Sequence, residues 1–197
     1  MDYICVYASS SDTVDKKYFK EAEDMALGMA REGYGLVFGA GTVGLMGAMA
    51  RGIHAAGGRM IGVIPEKLNR KGIVYERCDK LIVTKTMRER KAVMEDNSIG
   101  FITLPGGFGT FEEVLEIITL KQLGYHNKPI VIMNASGYYD SLINQFNICV
   151  DGGFANESNL DYFKIAHSTR EALDYFKNYT PSKIEAKWAG YEEEALE

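Results

Sequence analysis

The sequence predicts an α/β fold, a doubly wound parallel sheet of about six to seven strands with helices on both faces. Three observations carry this expectation. Short apolar runs alternate with amphipathic runs almost throughout, as in a parallel sheet whose buried strands are joined by crossover helices. Two of the apolar runs end in glycine-rich loops that lead straight into helical patterns. A chain of 197 residues with 46% hydrophobic content can bury one sizeable core, and no Ser/Pro-rich linker or internal repeat divides it. Residues 1–180 are therefore expected to form a single Rossmann-like domain. The segment 181–197, ending Glu192-Glu193-Glu194-Ala195-Leu196-Glu197, reads as a frayed acidic tail.

The elements follow in order. Strands are expected at 3–8, 36–38, 60–64, 81–83, 99–104 and 129–133, with a short seventh near 165–167. The first helix, 15–31, repeats Phe19, Ala22, Ala26 and Met29 at helical spacing, and Gly33 stops it. Helices at 44–56 and 86–96 come next. The fourth, 110–123, opens at Thr110 in the N-cap position. From Val114 to Leu123 it is apolar on nearly every face, whereas covering a sheet needs only one apolar stripe. The excess points to a homodimer packed through the 110–123 helix region; burial within its own monomer is the alternative. Helices at 138–150 and 169–178 complete the set.

Composition narrows the partners. The formal net charge of -5, without a long basic stretch, argues against binding a nucleic acid polymer. Cys5, Cys78 and Cys149 are odd in number and scattered, and read as small buried hydrophobes rather than a disulfide framework. Met1-Asp2-Tyr3 lacks a basic leader, and no apolar run approaches the roughly 18 residues of a membrane span, so a soluble, cytoplasmic protein is expected. His54, His126 and His167 lack metal-ligand spacing, and no metal is predicted.

The densest chemistry lies in LPGGFGTFEE, Leu104 to Glu113, between a strand pattern and a helix pattern. Gly106, Gly107 and Gly109 leave the main chain open to a ligand, and the first turn of the following helix presents unpaired N–H groups. With Thr110 this is an anion site, most naturally for a phosphate. Glu112, Glu113 and Glu116 crowd the same helix end. Acids there can complement the helix dipole, a reading that fits Glu112 and Glu116.

A second loop, FGAGTVGLMGAMA, places Gly39, Gly41 and Gly44 in a GxGxxG pattern. It follows the second strand rather than the first, and the next strand ends without an acidic residue until Glu66, which weakens a dinucleotide reading. It is read instead as a loop where a nucleotide meets backbone N–H groups near Gly41, with Thr42 donating a hydroxyl. A tight turn with close packing at Gly44 and Gly47 is the alternative. Ser9, in the Ser9-Ser10-Ser11 run after the first strand, would reach the same rim.

Met87, Arg90, Lys91 and Met94 share one face of the third helix. Met87 and Met94 would mark an apolar face into which Arg90 projects, and a buried guanidinium requires an anion. Glu113 or a phosphate would serve; surface pairing of Arg90 and Lys91 with nearby glutamates is the alternative. Beside a bound dianion a further carboxylate needs another task. Ribose hydroxyls, or positive charge developing at C1′, provide one. The residues thus point to a nucleoside 5′-monophosphate cut at its glycosidic bond.

These residues resemble the LONELY GUY family of cytokinin riboside 5′-monophosphate phosphoribohydrolases. PGGFGTFEE is similar to the family's PGGxGTxxE, Met87-Arg88-Glu89-Arg90-Lys91 to its MxxRK, and GAGTVGLMG to its GGGxxGLMG. Gln122 to Pro129 and Gly137-Tyr138-Tyr139 resemble its C-terminal half. The resemblance implies a nucleotide-binding hydrolase in which Arg90 and Glu113 form the catalytic pair. It places Gly106, Gly107, Gly109 and Thr110 on the phosphate, and Lys91 and Glu112 in the substrate site. It further implies release of a free adenine-type base and ribose 5-phosphate, no organic cofactor, and a dimer or larger assembly. The chain departs at Ala40, Ala8 and Leu120, and Glu76 is the one candidate for a substrate-contacting glutamate upstream of MxxRK. Some relatives carry a lysine decarboxylase label; that chemistry needs pyridoxal phosphate on a lysine with an acid partner for its pyridine nitrogen, which Lys91 lacks. The competing expectation is a non-catalytic nucleotide or molybdenum-cofactor carrier.

Overall fold

The computed structural model describes residues 1–181, so the expected acidic tail lies outside the described residues apart from Pro181. The order is β1 (Tyr3–Tyr7), α1 (Lys16–Arg31), β2 (Gly35–Phe38), α2 (Gly44–Ala55), β3 (Met60–Pro65), β4 (Lys80–Thr84), α3 (Met87–Asp96), β5 (Gly100–Thr103), α4 (Phe108–Gln122), β6 (Ile130–Met133), α5 (Asp140–Asp151), β7 (Lys164–Ala166) and α6 (Thr169–Lys177). Short 3-10 turns at Glu66–Leu68 and Glu157–Tyr162 add to the expected set.

The seven strands form one sheet in the order β4-β3-β2-β1-β5-β6-β7, each pair parallel. The chain winds outward from β1 to β4, returns, and winds the other way from β5. The switch point therefore lies between the carboxyl ends of β1 and β5, where such sheets bind ligands.

Both faces of the sheet are covered. Ile4 and Val6 of β1 face a core shared with Met25 and Met29 of α1, Leu45 and Met49 of α2, and Leu173 of α6. Cys5 and Tyr7, pointing the other way by the period of two, pack with Met94 of α3 and Ile117 of α4. At its start α1 is capped by Asp15, whose carboxylate accepts from the Lys17 N–H at 2.9 Å, and Gly33 at φ +80° takes the chain out.

Helix α4 corrects one expectation, the position of its N-cap. It begins at Phe108 with Gly107 as N-cap, so Thr110 lies inside the first turn. Its buried stripe is Thr110, Glu113, Val114, Ile117 and Lys121, while Leu115 and Leu123 are exposed, so its apolar excess is not absorbed by the monomer. Lys121 Nζ donates to the Lys128 carbonyl at 3.0 Å and the Tyr179 hydroxyl at 2.8 Å, and burial pushes its pKa down to about 8. The cysteines also differ from expectation: Cys5 is buried, but Cys78 and Cys149 are only half-buried. Among the described residues no helix is long and apolar enough to cross a membrane.

Candidate active site

A cavity of about 580 Å³ opens at the switch point, a size suited to a small ligand. Its walls are Ala8 to Ser11 after β1, Gly39 and Gly41 after β2, Met87 and Arg90 of α3, and residues 107–110 with Glu112 and Glu113 at the start of α4. Apolar side chains of Val43, Leu68, Ile73 and Phe108 stand around it, all of them exposed.

The two helix ends at this rim differ. The α2 terminus is occupied by its own chain: Gly44 N–H donates to Asp12 Oδ1 at 2.7 Å. The α4 terminus has no side-chain cap and no acid in its first turn, because Glu112 and Glu113 fall in the second. Its first-turn N–H groups are thus left open toward the cavity, as an anion would need. Gly107 and Gly109 have negative φ, and a Cβ built on either meets nothing within 4 Å. The fold does not require glycine at these positions; a side chain there would fill the space above the helix end. Gly106 is different. It is buried, and a Cβ on it would overlap the Thr110 side chain, so its role is to let Thr110 pack beneath the loop.

The second glycine loop lines the cavity with Gly39 and Gly41, but its Thr42 is engaged by the chain itself. Its hydroxyl donates to the Gly72 carbonyl at 3.2 Å, its N–H to the Ile73 carbonyl at 3.0 Å, and the Tyr75 N–H to the Ala40 carbonyl at 2.8 Å. Gly41 N–H points at the Met46 sulfur at 3.3 Å. These bonds hold the 70–75 segment, and with it Ile73, against the cavity. Gly44, at φ +65°, packs directly on Ser9 and Ser11, leaving no space for a Cβ. Ala40 adopts φ +56°, at a cost of about 1–2 kcal/mol relative to a glycine there.

Arg90 and Glu113 close the cavity floor. Both are more than nine-tenths buried, with Arg90 Nη1 donating to Glu113 Oε1 at 3.3 Å and Nε donating to the Val63 carbonyl at 3.0 Å. The other guanidinium nitrogen, Nη2, lies against Gly39, where a Cβ would overlap it. Burial pushes the Glu113 carboxyl up to about 7; Arg90 pulls it down and Glu112 raises it further. The surface alternative for Arg90 is thereby excluded.

Lys91 does not itself line the cavity. It pairs with Glu112 and, at 2.7 Å, with Glu116, which are therefore lysine partners rather than simple complements of the helix dipole. Burial works to lower the Lys91 pKa, but the two carboxylates outweigh it and hold the ammonium above its usual range. A Schiff-base lysine needs the neutral amine, so Lys91 is unsuited to pyridoxal chemistry. Met87 is 47% exposed at the cavity wall, so only Met94 of the pair belongs to the core.

Of the residues singled out in the sequence, the fold brings Ser9, Gly41, Met87, Arg90, Gly107, Gly109, Thr110, Glu112 and Glu113 to the cavity; Thr42, Lys91 and Gly106 stand behind it. Glu76 is exposed and does not line it. Gly39 as the seat of Arg90, Asp12 as the cap of α2, and the apolar Leu68 and Ile73 were missed. Only the last left a signal, apolar residues set among charged ones in a loop. Among the described residues no group of three or more His, Cys, Asp or Glu side chains is placed to hold a metal.

The chain is similar to known proteins in sequence and in fold. The family model described as "possible lysine decarboxylase" matches residues 46–176. A cytokinin riboside 5′-monophosphate phosphoribohydrolase of Arabidopsis thaliana is 39% identical over 90% of this chain and 78% of its own length. A second from the same plant is 38% identical over 90% of this chain and 84% of its own. Among solved structures, the molybdenum cofactor binding protein of Rippkaea orientalis superposes with a TM-score of 0.68 at 22% identity, covering 89% of this chain and 95% of that one, a likeness of fold. On the matched span and the sequence identity, the chain belongs to the family of the cytokinin riboside 5′-monophosphate phosphoribohydrolases.

Proposed function

We propose that this protein hydrolyses the N-glycosidic bond of adenosine or N6-modified adenosine 5′-monophosphates, releasing the free base and ribose 5-phosphate. The observation that carries the reading is the buried Glu113, paired with Arg90 and facing the same cavity as the uncapped end of α4. Of the α2 and α4 ends, that of α4 alone lacks a side-chain partner, which suits a monophosphate better than a dinucleotide. The names of the relatives support the same substrate class.

In this mechanism the phosphate sits on the N–H groups of the first turn of α4, over Gly107, Gly109 and Thr110. Holding that end orients the ribose toward Glu113. The C1′–N bond breaks and its electron pair leaves with the base, which takes up a proton; water supplies the new oxygen at C1′. The ionised Glu113 holds ribose hydroxyls, stabilises the positive charge at C1′ and steers the water. A carboxylate about 4 Å from that charge supplies about 4 kcal/mol at an effective dielectric of 20, about three decades in rate. Arg90 fixes Glu113, and Ser9, Gly41, Met87 and Glu112 complete the substrate site. Gly106, Thr42 and Lys91 act from behind, by shaping Thr110, the 70–75 wall and Glu112. The hydrolysis involves no net oxidation or reduction, so it calls on no redox cofactor.

Incubation with AMP and N6-isopentenyl-AMP tests the proposal. Free base is expected from at least one, and two intact nucleotides with folded protein would sink it. The competing reading is a non-catalytic nucleotide or molybdenum-cofactor carrier, which has no use for a buried Arg90–Glu113 pair. Glu113→Gln that binds nucleotide without turnover, beside an active parent, rejects the carrier.

The protein acts as a homodimer packed through the 110–123 helix region, supported by the exposed Leu115 and Leu123 and the half-buried Ile118 and Leu120. Free cysteines at 5, 78 and 149 suit a reducing cytoplasm.

A further inference from the structure

In the loop before α4 the carbonyls of Leu104, Pro105 and Gly106 are all engaged from outside. Leu104 O accepts from the Tyr139 hydroxyl at 2.8 Å, Pro105 O from the Ser9 N–H at 3.1 Å, and Gly106 O from the Tyr138 hydroxyl at 2.5 Å. A carbonyl oxygen turned toward a bound dianion would repel it, so this orientation matters. The Gly106–Gly107 peptide is the one at risk of flipping, since glycines flank it on both sides. A trans peptide plane sets its N–H opposite its C=O. Anchoring Gly106 O on Tyr138 therefore directs the Gly107 N–H to the other side of the loop. Tyr138 lines a smaller cavity of about 230 Å³ and not the main one, whereas Gly107 lines both.

The tyrosines are themselves held. Asn134 Oδ1 accepts from the Tyr139 N–H at 2.7 Å, and Asn134 Nδ2 donates to Asp140 Oδ1 at 2.7 Å. Gly137 turns the chain at φ +72° where a Cβ would crowd Asp140, and the Tyr138 ring stands edge-on to Tyr18 at 5.6 Å. The turn before α5 is thus a rigid bracket bearing two hydroxyls on the glycine loop.

We propose that Tyr138 and Tyr139 are positioning residues for phosphate recognition, locking the carbonyls of Leu104 and Gly106 outward so that the Gly107 N–H stays turned to the phosphate. The inference rests on the proposed placement of the substrate phosphate. Tyr138→Phe removes one hydroxyl from an exposed side chain and keeps the ring, so the variant should fold with an unchanged Tm. Binding of ribose 5-phosphate and of adenine to wild type and variant is measured by calorimetry, which needs no turnover. A threefold to tenfold weaker Kd for ribose 5-phosphate is expected, the worth of one hydrogen bond, with adenine unaffected. In turnover, KM for the nucleotide should rise by a similar factor with kcat less affected, and Tyr139→Phe should behave alike. Equal ribose 5-phosphate binding by wild type and Tyr138→Phe, equal loss for both ligands, or no binding by wild type would each overturn the proposal. Absence of base release with phosphate binding still sensitive to Tyr138 would overturn the hydrolase reading alone.

Discussion

Arg90 and Glu113, 23 residues apart in sequence, meet at 3.3 Å on the floor of the cavity, and the guanidinium fits there only because Gly39 has no side chain. The first glycine of what looks like a nucleotide loop is thus spent on an arginine. Gly39→Ala should push Arg90 off Glu113 and Val63, costing about 1–3 kcal/mol of stability through overpacking. Base release should fall at least a hundredfold. Comparing kcat/KM with the unfolding midpoint in urea checks this; full activity in the Gly39→Ala variant would show that the seat is unimportant.

Glu113 sets the pH dependence. Burial raises its pKa to about 7, and the ionised form is the one that stabilises positive charge at C1′. The ionised fraction, and with it kcat/KM, should climb about tenfold per pH unit below 7 and level off above it. Glu113→Gln should lose about two to four decades of kcat and the pH step with it. A rate that falls as pH rises through 7 would assign the protonated acid instead.

Gly109 separates function from stability. It sits in the first turn of α4 at negative φ with open space where a Cβ would go. Gly109→Ala should stabilise the fold by about 0.5–1 kcal/mol, by helix propensity. The same methyl intrudes where the phosphate is proposed to lie, so KM should rise at least tenfold. A variant both more stable and equally active would move the phosphate elsewhere.

His126 predicts an acid limit. Its Nδ1 accepts from the Lys128 N–H at 3.2 Å, so Nε2 carries the proton and donates to the Ile117 carbonyl at 2.9 Å. Burial lowers its pKa from 6.5 to about 4. Between those values the unfolded chain binds the extra proton, so this contribution is complete above pH 6.5 and is lost as pH falls toward 4. Urea melts from about pH 7 to 4 should lose stability more steeply for wild type than for His126→Gln; parallel curves would contradict the assignment.

Much of this protein is written in its pattern. Periodicity placed all seven strands and six helices within a few residues, because each apolar strand or stripe has no stable option except burial in a two-sided sheet. The start of α4 was misplaced because Gly107, not Thr110, leaves the helical conformation, and a backbone angle at glycine has no side-chain signature. The motifs also offered Glu113 or a phosphate as the partner of Arg90, and the family resemblance implied the pair. What the sequence could not decide was which polar groups remain available. Thr42 hydroxyl, the α2 terminus and Lys91 all looked ready for a ligand, yet Gly72, Asp12 and the pair Glu112 and Glu116 take them. Nor could it show that Tyr138 and Tyr139 reach back to carbonyls more than thirty residues earlier. Hydrogen-bond partners distant in sequence are chosen by the packing of whole elements, so only the tertiary structure could separate the residues that hold the loops from those left facing the cavity.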